Sequence, residues 1–164
     1  MRFSTIVTLL LPTAILAAPT VLEARAAESC APSSYTLSKF NLQTSDTVGK
    51  VNFEFKSQFA NATAVKDAII KGVTCQAEGP VLPNSGNVCG TEFGLQFDLR
   101  APQDKAHYQI THSWHCNDAL WMSGNDVTID PLECSEADGL RTCTSPGPQT
   151  IVPQNVRLVC SRRC

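Results

Sequence analysis

The chain has 164 residues, of which 17% are charged, and a formal net charge of −2. This length suits one domain with a hydrophobic core. The charge balance offers no basic patch of the kind that nucleic-acid binding requires, so we expect no nucleic-acid partner.

The N-terminus has the pattern of a secretory signal peptide. In MRFSTIVTLLLPTAILAA, one arginine precedes an apolar run and two small residues, which is the order of the basic, apolar and cleavage regions in such peptides. The apolar run is shorter than the roughly 20 residues that span a bilayer, so we expect no membrane segment. We predict a signal peptide over residues 1–17, a pro-segment over 18–25 and a secreted, extracellular domain over 26–164, with the cell wall as a second destination.

Most of the remaining chain alternates apolar and polar residues with the period of a β-strand. The alternation is clearest in the segments YTLS, VNFEF, FGLQFDL, DVTID and VRLVC. After YTLS, Phe40 and Leu42 continue with a change of face, which indicates a bulge. Strands of this length between turn-rich connections predict an all-β fold, a single antiparallel β-barrel or sandwich. The one helical candidate, 62–70, fits a loop equally well.

Two histidines and a cysteine lie close together in ITHSWHCND, residues 110–118. These residue types serve metal sites and nucleophilic enzymes. If the segment is a strand, however, His112 and Trp114 share the inner face and His115 lies on the outer face. Two histidines on opposite faces cannot bind one ion. We therefore expect no metal site and interpret His112 as a core residue.

Eight cysteines follow the predicted signal peptide: Cys30, Cys75, Cys89, Cys116, Cys134, Cys143, Cys160 and Cys164. An even number in an exported chain without a CxxC pair predicts disulfides rather than zinc ligands. Local spacing suggests the pairs Cys75–Cys89 and Cys134–Cys143, because each pair brackets a polar turn. The other four cysteines leave three pairings open, together with an intermolecular bond.

The sequence contains no recognisable catalytic motif. GxSxG, HExxH and a phosphate-binding glycine loop are absent, and a disulfide would remove the thiolate of Cys116. A secreted ribonuclease would need a His/Glu/Arg group, for which Glu54, Arg100 and His115 are candidates, but nothing in their spacing shows that they converge. We expect no catalytic residue and no cofactor.

One N-glycosylation sequon is present, Asn61-Ala62-Thr63. In an exported protein it predicts a glycan on Asn61. It also predicts that the connection carrying it lies at the surface.

The order of strands and cysteines resembles the Alternaria major allergen family of small secreted fungal β-barrel proteins. Four stretches carry the resemblance: AAPTVLEARAAESC, the strand pair YTLSKFNLQ and VNFEF, the hairpin VTCQAEGPVLPNSGNVCGTEFGLQFDL, and the loop ECSEADGLRTC. The resemblance implies an antiparallel barrel or sandwich held by Cys75–Cys89 and Cys134–Cys143. It also implies a homodimer through Cys30, but the additional cysteines of this chain give Cys30 internal partners and argue against that dimer.

The same resemblance implies a secreted protein that is not an enzyme. Members behave as allergens, or as effectors and elicitors that bind plant defence proteins or trigger plant cell death. We hypothesise a virulence-related effector that binds a host plant protein or a small apolar ligand and elicits or suppresses defence. Two alternatives stay open: a small secreted hydrolase or ribonuclease that uses His112 or His115, and a structural cell-wall protein.

Overall fold

The computed structural model describes residues 30–80, 82, 86–91 and 94–160. Residues 1–17 and 18–25, for which we predicted a signal peptide and a pro-segment, lie outside these ranges, as does Cys164. The strands are β1 (Ser34–Thr44), β2 (Gly49–Gln58), β3 (Val65–Lys66), β4 (Val73–Gly79), β5 (Asn87–Val88), β6 (Leu95–Leu99), β7 (His107–Cys116), β8 (Ala119–Thr128), β9 (Glu133–Ala137), β10 (Leu140–Thr144), β11 (Gln149–Ile151) and β12 (Arg157–Leu158). A short 3₁₀ helix spans Gln103–Lys105.

The strands form two six-stranded antiparallel sheets. Sheet A has the order β4-β2-β1-β10-β9, and β11 pairs with the first half of β1. Sheet B has the order β12-β8-β7-β6-β5, and β3 pairs with the end of β7. Their inner faces pack against each other, as in a sandwich. The predicted all-β antiparallel fold is therefore confirmed, and it takes the form of two sheets rather than a closed barrel.

A bulge in β1 explains the change of face that the sequence predicted. The register with β2 shifts by one residue between Ser38 and Asn41, and Lys39 has a φ of 54°. One extra residue in a strand reverses its inward and outward positions. Leu37 and Phe40 are consequently both buried, although their separation of three residues would place them on opposite faces of a regular strand.

Aromatic side chains from both sheets fill the main hydrophobic core. Phe53 of β2 meets Phe97 of β6 edge to face, with ring centroids 5.1 Å apart, which joins the two sheets directly. A second cluster, called here the tryptophan cluster, lies at one end of sheet B. Its members are Cys30, Trp114, Cys116 and Trp121, with Phe59, Val65, Ala119 and Val156 packed at its margin.

Two segments of ambiguous pattern are now defined. Residues 62–70 form turns and the short strand β3, so the loop interpretation is correct and the helical one is wrong.

Near the C-terminus the alternation of apolar and polar residues does not mark a buried face. Leu158 is 40% exposed, because β12 lies at the edge of sheet B. No helix within the described residues is long and apolar enough to cross a membrane.

Candidate functional site

Three disulfide bonds join pairs of described residues. Cys75–Cys89 connects β4 to the segment after β5, and Cys134–Cys143 joins β9 to β10 at directly paired positions. These are the two pairs that local spacing suggested. Cys30–Cys116 connects the start of the described chain to the end of β7, across 86 residues. The sulfur of Cys30 is thus bonded within the chain, and Cys160 is disulfide-bonded as well.

Strand β7 separates the two histidines of the ITHSWHCND segment, as the alternation predicted. His112 is completely buried and its ring stacks on Trp114, with centroids 4.9 Å apart. His115 is exposed on the opposite face. The neighbouring Cys116 is bonded to Cys30, so no thiolate accompanies His115. The sequence neighbours therefore do not form a catalytic pair.

Glu54 and His115, two of the three residues considered for a ribonuclease, do not converge either. Glu54 lies on the outer face of sheet A, between the buried Phe53 and Phe55, where it forms an ion pair with Lys39 at 2.7 Å. His115 is on the outer face of sheet B. The two side chains thus lie on opposite sides of the sandwich.

His112 is the centre of a buried hydrogen-bond network instead. Its Nε2 lies 3.0 Å from Asp67 Oδ1, and its Nδ1 lies 3.0 Å from the hydroxyl of Tyr35. That hydroxyl lies 2.7 Å from Ser123 Oγ, which accepts a hydrogen bond from Asn125 Nδ2 at 3.1 Å. We call these residues, together with Ser57, the His112 network. It connects β1 of sheet A with β7 and β8 of sheet B.

Asp67 ties the connection between β2 and β4 to this network. Its Oδ2 accepts a hydrogen bond from Ser57 Oγ, and its Oδ1 accepts one from the backbone N–H of Ile69 at 2.9 Å. Burial alone would raise the pKa of the Asp67 carboxyl, but the hydrogen bond and charge of His112, with the bonds from Ser57 and Ile69, outweigh burial and lower the pKa below its ordinary value of 3.8. Asp67 is therefore an ionised acceptor at neutral pH.

The hydroxyl of Tyr35 keeps its proton. Burial raises its pKa well above the ordinary value of 10.0, and this effect exceeds the opposing effect of the hydrogen bond with Ser123. A protonated hydroxyl donates one hydrogen bond and accepts another. It can therefore satisfy His112 and Ser123 together.

The network has the connectivity of a catalytic triad, in which a carboxylate orients an imidazole that contacts a hydroxyl. Its position is different, since the side chains of His112 and Asp67 are 0% and 1% exposed and Tyr35 and Ser123 are both 0% exposed. A substrate cannot reach any of these atoms in the folded protein. Among the described residues, no group of three or more His, Cys, Asp or Glu residues could hold a metal ion.

Sequence reasoning found His112 and missed its partners. One signal was present, because Ser123 and Asn125 occupy inward positions of WMSGNDVTI, between Trp121 and Val127. Polar residues at inward strand positions require buried partners. Asp67 gave no such signal, because the connection between β2 and β4 in which it lies shows no alternation of apolar and polar residues.

An open cleft of about 350 Å³ lies over one margin of the network. Its lining residues are Ser33, Lys56, Ser57, Gln58, Phe59, Ala62 and Ile70. We call it the Phe59 cleft. Both apolar and polar side chains line it, so it does not have the predominantly apolar wall expected for the small apolar ligand considered above.

The hairpin of β9 and β10, 133–144, projects one fully exposed strand, β9, at the edge of sheet A. All five residues of β9 are exposed, and among the described residues β9 pairs with β10 alone. Asp138 and Gly139 form its two-residue turn with φ values of 52° and 76°, the positive pair that a type I′ turn needs. Glu133, Glu136 and Asp138 give this hairpin three exposed carboxylates, so we call it the acidic hairpin.

Two antiparallel sheets tied by disulfides define a small, disulfide-stapled β-sandwich protein. Among solved structures, the fold matches that of the Alternaria alternata allergen Alt a 1. One Alt a 1 structure aligns with 82% of this chain and 95% of its own, with a TM-score of 0.53 and 13% identity; a second aligns with 81% and 99%, with a TM-score of 0.53 and 12% identity. The predicted resemblance is thus confirmed at the level of the fold. No protein-family model matches the chain, and no curated protein is similar to it in sequence.

Proposed function

We propose that this chain is a secreted fungal protein of the allergen and effector type, which acts by binding a host plant component and not by catalysis. The observation that carries the proposal is the sealed position of the His112 network. A general base must come within hydrogen-bond distance of its substrate, and His112 is 0% exposed. The fold shared with Alt a 1 and the disulfide-tied frame support the extracellular, allergen-like part of the proposal.

The acidic hairpin is the surface that we propose for partner contact. No described strand pairs with the outer edge of β9, so this edge offers backbone donors and acceptors to an added strand, and the three carboxylates of the hairpin favour a partner with a basic surface. Cys134–Cys143 joins its two strands, so little conformational freedom is lost on binding. The partner class is therefore a basic host protein rather than a small apolar ligand.

Infiltration of the purified mature protein into leaf tissue tests the proposal. The matched variants are E133K/E136K in the acidic hairpin and D46K/D118K elsewhere, since all four carboxylates are exposed and both variants change the net charge equally. We expect a cell-death or defence response, or its suppression, that E133K/E136K weakens and D46K/D118K preserves. Retention of the protein on washed fungal cell walls, without any leaf response, would favour a structural cell-wall protein.

The second candidate is a secreted hydrolase, which the Asp67–His112–Tyr35 connectivity favours. It requires an opening that exposes the Tyr35 or Ser123 hydroxyl to substrate. It predicts turnover of an ester, peptide or RNA substrate that is lost in H112Q. Absence of turnover by correctly folded protein would exclude it.

A further inference from the structure

We propose that Asn61 carries an N-linked glycan whose first N-acetylglucosamine packs on Phe59 in the Phe59 cleft and stabilises the connection 59–72. The inference depends on the export that the proposed function includes. It concerns a different surface from the acidic hairpin, so the two can fail separately.

The sequon has the accessibility that glycosylation needs. Asn61, Ala62 and Thr63 are all exposed, and Asn61 Oδ1 accepts a hydrogen bond from the backbone N–H of Thr63 at 3.0 Å. This local turn places the asparagine and the threonine of the sequon side by side. The hydrogen bond uses the amide oxygen of Asn61. The amide nitrogen Nδ2, which would carry the sugar, takes no part in it.

Phe59 provides a platform two residues before Asn61. Its ring contacts Trp114 edge to face, with centroids 6.0 Å apart, so the tryptophan cluster holds it in place. Phe59 and Ala62 also line the cleft, which puts the ring and the sequon at the same opening. The negative face of an aromatic ring attracts weakly positive C–H groups, and one face of a pyranose ring presents such groups.

Polar side chains of the cleft complement the rest of the sugar. Ser33 and Gln58 lie in its wall. The Ser33 hydroxyl donates its proton to the backbone carbonyl of Gln58 at 3.1 Å, so Ser33 Oγ offers an acceptor, and the Gln58 amide N–H groups offer donors to hydroxyl and acetamido groups. Ser57 Oγ is already bonded to Asp67, so its hydroxyl proton needs no further partner. The lining combines the apolar Phe59 and Ala62 with polar side chains and Lys56, so it suits an amphipathic sugar better than a purely apolar molecule.

The modification is an ordinary glycosyl transfer. A bond forms between Asn61 Nδ2 and C1 of N-acetylglucosamine, while the bond from C1 to the diphosphate of a lipid-linked oligosaccharide breaks. The amide loses one proton and the lipid diphosphate leaves. Because Asp67 belongs to the same connection, a sugar fixed on Phe59 would also restrain the segment that closes the His112 network.

The first experiment is expression of the full chain in a eukaryotic secretory host, followed by peptide mass spectrometry before and after endoglycosidase digestion. We expect a glycan on the Asn61 peptide of the wild type and none in T63A, which keeps the asparagine but destroys the sequon. Secreted wild-type protein without a glycan would overturn the inference and leave the proposed function intact. A glycosylated protein that produces no leaf response would leave this inference intact and overturn the proposed function.

The second experiment tests the packing. We expect a higher urea midpoint for glycosylated wild type than for T63A, and a smaller difference when both carry F59L. Equal differences in the two backgrounds would overturn the contact. NMR of the glycosylated wild type gives an independent reading: C–H protons of the first sugar should be shifted upfield by the ring and show cross-peaks to Phe59, and their absence would contradict the packing.

Discussion

His112 Nε2 lies 3.0 Å from Asp67 Oδ1 in the interior of the protein, and the two side chains are 0% and 1% exposed. The pair links strand β7 to the connection between β2 and β4, and through Tyr35 it reaches the opposite sheet. Buried polar networks of this kind are costly to break once formed. The histidine that first suggests catalysis therefore holds the sandwich together.

Two buried tyrosines provide a matched test of the network. Tyr35 hydroxyl contacts His112 and Ser123, whereas Tyr108 hydroxyl is buried and has no hydrogen-bond partner among the described residues. Removing one partner of a buried hydrogen bond costs about 1–3 kcal/mol. We expect Y35F to lower the free energy of unfolding by that amount, measured by urea denaturation.

Y108F is the control, because it removes a hydroxyl that forms no hydrogen bond within the part of the chain that the structure describes. Relief of an unsatisfied buried group should leave the free energy of unfolding unchanged or raise it by about 1 kcal/mol. Equal losses in Y35F and Y108F would show that the network contributes nothing beyond packing.

The lowered pKa of Asp67 makes the stability depend on pH in acid. Because this carboxyl has a pKa below 3.8 in the folded protein, the unfolded chain binds more protons in this range. The contribution of Asp67 is therefore complete above the unfolded value and is lost as pH falls through the folded one. We expect the free energy of unfolding of the wild type to fall more steeply than that of D67N below pH about 4.

A substitution at an exposed carboxylate is the control. Asp46 lies exposed in the turn between β1 and β2, so D46N makes the same change of side chain without breaking a buried hydrogen bond, and it should leave the acid loss of stability in place. Parallel curves for D67N and the wild type would contradict the ionised, hydrogen-bonded state of Asp67.

The disulfides should differ in what they contribute. Cys30–Cys116 closes a separation of 86 residues and Cys134–Cys143 one of 9, so chain entropy favours the first by about 2 kcal/mol. Cys30 and Cys116 are also buried in the tryptophan cluster. We expect C30A/C116A to lower the urea midpoint more than C134A/C143A, and the reverse order would contradict this assignment.

The two-residue period of β-strands explains which features of the fold could be predicted from the sequence. In β2 and β7 every second residue is buried, so the inward position of His112 and the outward position of His115 followed from alternation alone. The bulge at Lys39 was also detectable, because Phe40 broke the period set by Leu37. The two local disulfides bracket short turns, where neighbours in sequence are neighbours in space.

Contacts between distant segments could not be predicted in the same way. Asp67 and His112 are 45 residues apart, and Tyr35 and His112 are 77 apart. No local period relates such positions, and their meeting depends on how the two sheets pack. Cys30–Cys116 was undetermined for the same reason, since sequence alone allowed several pairings for each of these cysteines.

The leaf response to the mature protein tests the binding function most directly. The comparison needs the wild type, E133K/E136K, D46K/D118K and H115Q, a variant of the exposed histidine, each first shown to unfold at the wild-type urea midpoint. We expect the wild type, D46K/D118K and H115Q to elicit or suppress defence equally and E133K/E136K to lose most of the effect. An inert wild type, or an effect that H115Q abolishes and E133K/E136K preserves, would contradict binding through the acidic hairpin.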